Sequence, residues 1–178
     1  MTSAIPHIVM QFKDTPVNRR MEISNTNANG YSGSEMRKYL ISYSGSGGNF
    51  SVGLKDAGVP LDNDAIILKP QRYVASKGSG TAVSLIEDKI WLPTEREMFR
   101  SRTYSVAACE TEANQTWLEY YNSDDRRKKP SAQYNTYWLA SPSASSPAYF
   151  FCAVFSDGRA TSPTAMNELG VAPAFCVK

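Results

Sequence analysis

The spacing of apolar positions changes along this chain, and the changes mark its organisation. From Ser32 to Ile41, Met36, Tyr39 and Leu40 recur at i, i+3 and i+4, the spacing of one helix face. Ser34 stands where an N-cap accepts from unpaired first-turn N–H groups, and Glu35 follows where the helix dipole favours an acid. Lys89–Phe99 switches period within one short stretch. Ile90-Trp91-Leu92 reads as a strand and Pro93 closes it. Thr94, with Glu97 three residues on, forms a capping box, so a strand runs straight into a helix. From Tyr134 onward the pattern is all β. Tyr137–Pro142 is a strand ended by proline, 143–148 a loop of small residues, and Tyr149–Ser156 a strand with Asp157-Gly158 as its hairpin turn. Arg159–Glu168 reads as a further strand or a loop. Gly170–Val177 reads as one terminal strand, with Pro173 at an edge or bulge.

The remainder is less patterned. Residues 1–30 form an extended polar lead-in, with a short strand at Ile8–Phe12. Residues 42–53 are a Gly/Ser loop, Leu54–Val59 a short helix stopped by Gly58, and Asp64–Pro70 a strand stopped by proline. Gly45–Gly48 and Gly78–Gly80 read as flexible turns, since neither leads into the helix start that a phosphate cradle needs. The aromatic stretch Gln115–Tyr121 precedes a solvated charged loop at 124–129. No repeat or linker divides the 178 residues, so one domain is expected.

Composition narrows the function classes. A net charge of +2 is too small to argue for nucleic acid or an anionic membrane. No apolar run approaches the ~18 residues of a membrane span, and the N-terminus reads as lacking a cleavable signal peptide. The 10 Tyr, 7 Phe and 3 Trp suit a binding face and a β-rich core equally well. Cys109, Cys152 and Cys176 are too few and too widely spaced for a disulfide framework. Buried thiols are the default, and spacing leaves open whether one pair bridges.

Catalytic chemistry finds little support. The single histidine, His7, lies in the irregular lead-in with no partner placed beside it. There is no C-x-x-C, no H-E-x-x-H and no EF-hand loop; Asp62, Asp64, Asp124 and Asp125 are ordinary loop acids. Glu95 and Glu97 are two apart on a helix and so do not face one another as an acid–base pair. Their roles read as structural. The expectation is therefore a protein that is not an enzyme and uses no cofactor and no metal.

Three segments in order carry a resemblance: Trp91–Phe99, Tyr137–Pro142 and Gly170–Val177. They resemble a bacterial and phage domain family with a strand-to-helix "LLS-x-x-E" step, then "WLRSP", then "GVRPAF". Gly33–Leu40 is similar to that family's "S-x-x-R-x-x-L" helix. Ala140 and Ala172 stand where those motifs carry Arg. The resemblance implies an α+β fold of the C-type-lectin kind, two helices packed on twisted antiparallel β structure. It implies a domain over 31–178 with a variable region at about 134–178. It further implies kinship with the variable target proteins of diversity-generating retroelements, whose C-terminal codons are rewritten by an adenine-mutating reverse transcriptase.

One feature of the sequence agrees with such rewriting. Mutated AAC or AAT codons yield Asn, Tyr, Ser, Ala, Asp, Phe and similar residues but not Lys, Glu, Gln, Met or Trp, and none of those five occurs among the 23 residues Ser143–Ala165. The cysteine pattern of formylglycine-generating enzymes and the calcium-site motifs of sugar-binding lectins are both absent. On this reading the contact residues are Ser143, Ala144, Ser145, Ser146, Ala148, Tyr149, Phe151, Phe155, Asp157, Arg159 and Thr161. Tyr149 and Phe155 would be anchors. Trp91, Trp138, Leu139, Val171 and Phe175 belong to the scaffold, and strand alternation turns Phe150, Cys152 and Val154 inward. The expected partner is a protein or glycan receptor on a cell surface, with no nucleic acid and no membrane insertion. The expected location is a phage tail or a bacterial surface, where display as a homo-oligomer would add avidity. A fixed-sequence carbohydrate or cell-surface module is the other reading.

Overall fold

The computed structural model describes residues 8–41, 67–113, 118, 126, 135–145 and 148–178. The turns and helix read at 42–59, Asp62, Asp64, most of the 115–129 stretch, His7, Tyr134 and Ser146 lie outside the described residues.

Among the described residues three sheets carry the architecture. The largest runs β2 (Val17–Arg19), β10 (Leu169–Val171), β7 (Tyr137–Pro142), β8 (Phe151–Val154) and β9 (Ala160–Thr161). Its pairs are antiparallel except β10 with β7, which run parallel with Gly170 opposite Tyr137. A second sheet centres on β11 (Ala174–Val177). β1 (Ile8–Gln11) lies along one edge of β11, and β3 (Ile67–Leu68) and β6 (Ile90–Trp91) along the other. The third is a hairpin of β4 (Gln71–Ala75) and β5 (Val83–Glu87).

The helices form where the capping residues stand. α1 (Glu35–Ile41) buries Met36, Tyr39 and Leu40, and the Arg37 N–H donates to Ser34 Oγ at 3.1 Å. α2 (Glu95–Phe99) carries the expected capping box. Glu97 N–H donates to Thr94 Oγ1 at 3.2 Å, and Thr94 N–H to Glu97 Oε2 at 2.7 Å. Glu97 also holds the Arg72 guanidinium, which lies over the Trp91 ring. α2 stops after five residues, at Arg100, which adopts the left-handed conformation (φ 61°) and donates back to Arg96 O.

The expectation of an α+β, C-type-lectin-like fold with two helices packed on antiparallel β structure is corrected here. The described helices are two turns and little more than one turn long, and most of the described core is strand. The physical reason lies in the apolar runs. Tyr137–Pro142 and Phe151–Val154 are buried at every position, so each strand fills space on both faces. α2 contributes only Met98 as an apolar knob among its buried residues. The two cores flank the large sheet. Trp138, Ala140, Phe151 and Ala153 point into one with α1, Tyr31 and Met21; Tyr137, Leu139, Cys152 and Val154 point into the other with Met98.

The expected single terminal strand is two. Pro173 has no N–H for a ladder, its carbonyl accepts from Phe12 N–H at 3.0 Å, and the chain passes there from the first sheet to the second. The lead-in is threaded into both sheets through β1 and β2.

Candidate binding surface

The residues read as contacts fall into three groups. Ser143 and Phe151 are fully buried. Alternation does turn Phe151 to the side opposite Cys152 and Val154, but β8 is covered on both faces, so that side is a second core and not a solvent face. Cys152 and Val154 do point inward, while Phe150 is only half-buried. Ala144, Ser145, Ala148 and Tyr149 are exposed on the loop between β7 and β8, with Tyr149 at 45%. Phe155 (44% exposed), Asp157 and Arg159 form the β8–β9 hairpin, and Thr161 is half-buried in β9. Tyr149 and Phe155 flank the two ends of β8, with backbones at most roughly 20 Å apart at ~3.3 Å per residue.

The hairpin closes locally. Phe155 N–H donates to Arg159 O at 2.7 Å, Gly158 takes φ 92°, and the Asp157 carboxylate pairs with Arg159 at 2.7 Å. Arg159 holds the exposed Asp157 carboxyl below its usual range.

The β7–β8 loop is secured from farther away. Ser143 N–H donates to Phe150 O at 3.0 Å across its base. The buried Asn27 amide donates to Ser143 O at 2.9 Å and to Phe150 O at 3.0 Å, and Asn27 N–H donates to Ala148 O at 2.8 Å. Gly78 packs on the same clamp. A side chain there would meet Asn27 Nδ2 at 2.2 Å and Ser143 O at 2.3 Å, so this turn is a fitted contact and not the flexible turn its composition suggests. On the other side, Ala144 N–H donates to Tyr104 O at 2.7 Å, and Ser105 bridges Ser143.

The 103–105 turn is itself held by Glu95. This carboxylate is fully buried and accepts N–H bonds from Thr103 (3.0 Å), Tyr104 (3.1 and 3.2 Å) and Ser105 (2.8 Å). The Glu95 N–H donates to Ser141 Oγ at 2.7 Å. Beside it lies Glu110, also fully buried, whose Oε2 accepts the Arg96 N–H at 3.2 Å while Oε1 is buried with no partner at hydrogen-bonding distance. Burial pushes the Glu110 carboxyl up to about 7, against Ser141, Ser105 and the Arg96 N–H, and Glu95 adds to the rise. Burial, again with Glu95, pushes the Cys152 thiol well up. Asn27, Gly78, Glu95 and Glu110 are the residues that sequence reasoning missed or under-read. Only Glu95 carried a signal, its place in the first turn of a capped helix.

A family profile described as a domain of unknown function, DUF6273, matches residues 8–178. The chain belongs to the DUF6273 family. No curated protein and no solved structure matches it significantly. The match takes in the threaded lead-in strand β1 together with the β7–β8 loop.

Elsewhere on this DUF6273 domain, a polar cleft of about 450 Å³ is lined by Asn18, Arg19, Arg20, Glu22, Glu35 and Glu168, with the exposed Ile23 beside them. Much of its charge is already committed: Arg20 to Glu168 at 3.3 Å, Glu35 to Lys38 at 2.5 Å, and Arg19 over the Tyr39 ring. None of the three cysteines is in a disulfide, and all are buried. Among the described residues no group of His, Cys, Asp and Glu is placed to hold a metal ion, and no helix is long and apolar enough to cross a membrane.

Proposed function

We propose that this DUF6273 domain is a ligand-binding protein that presents its β7–β8 loop to a protein or glycan receptor on a cell surface, as a phage tail or bacterial surface protein. The observation that carries this reading is the contrast at that loop. Exposed small residues and Tyr149 project from strands buried on both faces. The loop base is fixed from two sides, by Asn27 and by the 103–105 turn. A loop whose base is held by hydrogen bonds and whose described residues Ala144, Ser145, Ala148 and Tyr149 are exposed tolerates side-chain change at low cost to folding. Pre-organisation also lowers the entropy lost on binding. The avoidance of Lys, Glu, Gln, Met and Trp across 143–165 supports a diversified loop of the retroelement kind.

Two experiments test this. Deep sequencing of codons 134–178 in a propagated population, with the flanking DNA, should find a near-copy of the region differing at adenines and substitutions concentrated at 144–149. Uniform codons and no near-copy would remove the diversification and leave a fixed module. Separately, Tyr149→Ala should abolish binding of the purified chain to host-cell surfaces while leaving the thermal midpoint unchanged. Phe155→Ala, beyond the other end of β8, should affect binding less. Equal loss from both, or loss from neither, would overturn the assignment of the loop as the contact surface.

A further inference from the structure

Two fully buried carboxylates sit side by side under the loop that this reading assigns to binding. Glu95 spends its oxygens on the 103–105 turn, and that turn is what Ala144 and Ser143 pair with. Glu110 sits at the end of the 106–110 turn, whose N–H groups at Cys109 and Glu110 both donate to Val106 O. The groups facing Glu110 are few. From α2 come the Glu95 carboxylate and the Arg96 N–H; the Arg96 guanidinium pairs through Nη2 with Glu112 at 2.8 Å, while its Nε is buried without a hydrogen-bond partner. From β8 comes the Cys152 thiol, 3.9 Å from Glu95 Oε2, and from the 106–110 turn itself the Cys109 thiol. The Ser141 hydroxyl of β7 and the Ser105 hydroxyl complete the surroundings. Among the described residues, no cation's charged group is among the main influences on the Glu110 carboxyl, and a thiol carries no positive charge in either state. A second negative charge placed there would face Glu95 with water excluded, where like charges repel far more than in solution.

We propose that Glu95 and Glu110 form a proton-controlled latch on the β7–β8 loop: with Glu110 protonated, Glu95 holds the 103–105 turn closed on Ser143 and Ala144, and ionisation of Glu110 releases the turn. The proposal rests on the reading of that loop as the binding surface and adds its regulation. The closed state holds the proton more tightly than an open, hydrated Glu110 would. Closure is therefore fully favoured at acidic pH and is lost as pH rises through neutrality. The arrangement suits a surface that should be most ordered in mildly acidic surroundings.

Amide hydrogen exchange on the full chain, without ligand, from pH 5.5 to 8.5 tests the latch. Rates are corrected for the intrinsic dependence of exchange on pH. The corrected rates of Thr103, Tyr104, Ser105 and Ala144 should rise about tenfold or more across that range, while core amides such as those of β8 stay constant. Glu110→Gln, which cannot ionise, should flatten the dependence. Glu95→Gln should leave the four amides fast at every pH. Constant corrected rates in the unmodified chain, or the same rise in Glu110→Gln, would overturn the proposal. Carboxyl carbon NMR on the unmodified chain gives a second measurement that needs no variant. A Glu110 midpoint in the ordinary carboxylate range also overturns it. Neither readout involves a ligand, so the latch fails or stands separately from the binding assignment, which the codon sequencing and Tyr149→Ala decide.

Discussion

Two hairpins of this molecule obey different rules. In β4–β5 the register sets Tyr73 opposite Leu85 and Arg72 opposite Ile86. The first pair is exposed, at 41% and 49%, and the second is buried. This is the alternation expected of a ribbon with one wet face. In β7–β8 burial does not alternate: all ten strand residues are buried, on alternate sides of the sheet. The hairpins differ because β7–β8 lies in the interior of a five-stranded sheet between two cores, whereas β4–β5 pairs only with itself. A strand's pattern reports how many of its faces are covered. An exposed residue is therefore most informative where it adjoins a strand that is otherwise wholly buried, as Tyr149 does.

The widest test of this comparison is truncation on each side of it. Trp138→Ala empties a fully buried site and should cost about 3–5 kcal/mol in chemical denaturation. Leu85→Ala, half-exposed on the other hairpin, should cost under about 1 kcal/mol. Similar losses would mean that the β4–β5 face is covered by something in solution.

The next effect is in pH. Glu110 is wholly buried with its carboxyl raised from 4.5 to about 7. Its contribution to stability is fully present below 4.5, the value it takes in the unfolded chain, and is lost as pH rises towards 7 and through it. The loss should reach at most about 3 kcal/mol, read as a fall in the denaturation midpoint between pH 4.5 and 7.5. It should be absent in Glu110→Gln. A midpoint that rises over this range in the unmodified chain, and equally in the variant, would assign the pH dependence to other groups.

A smaller effect belongs to the loop base. Asn27→Ala removes the two side-chain hydrogen bonds to the carbonyls of Ser143 and Phe150 and should cost about 1–3 kcal/mol. It should also raise exchange at Ala144 more than at any core strand amide. A stability loss with the loop amides unchanged would show that Asn27 supports the fold but not the loop.

How much of this was legible in the chain itself depends on how far apart the interacting residues lie. The capping box at Thr94 and Glu97, the buried face of α1, and the Asp157-Gly158 turn are all contained within a few residues, and each forms as its sequence implies. The scaffold residues Trp91, Trp138, Leu139 and Val171 are buried because large apolar groups in short strands have nowhere else to go. Phe151 shows the limit. Its burial is set by whether a second layer covers that face of β8, and that layer comes from Tyr31, Met36 and Leu40, more than a hundred residues earlier.

The sequence by itself therefore determined the local devices: which segments extend, where the two described helices begin, and which apolar residues leave water. These follow from backbone preferences and side-chain spacing, which act over a few residues. Tertiary structure alone decided the rest. It sent the end of the chain from one sheet to another at Pro173, brought Asn27 and Gly78 against Ser143, and buried Glu110 beside Glu95. These depend on surfaces meeting across sequence separations of up to more than a hundred residues, where no periodicity carries information. The charge state of Glu110 in particular follows from its desolvation, which only the assembled core imposes.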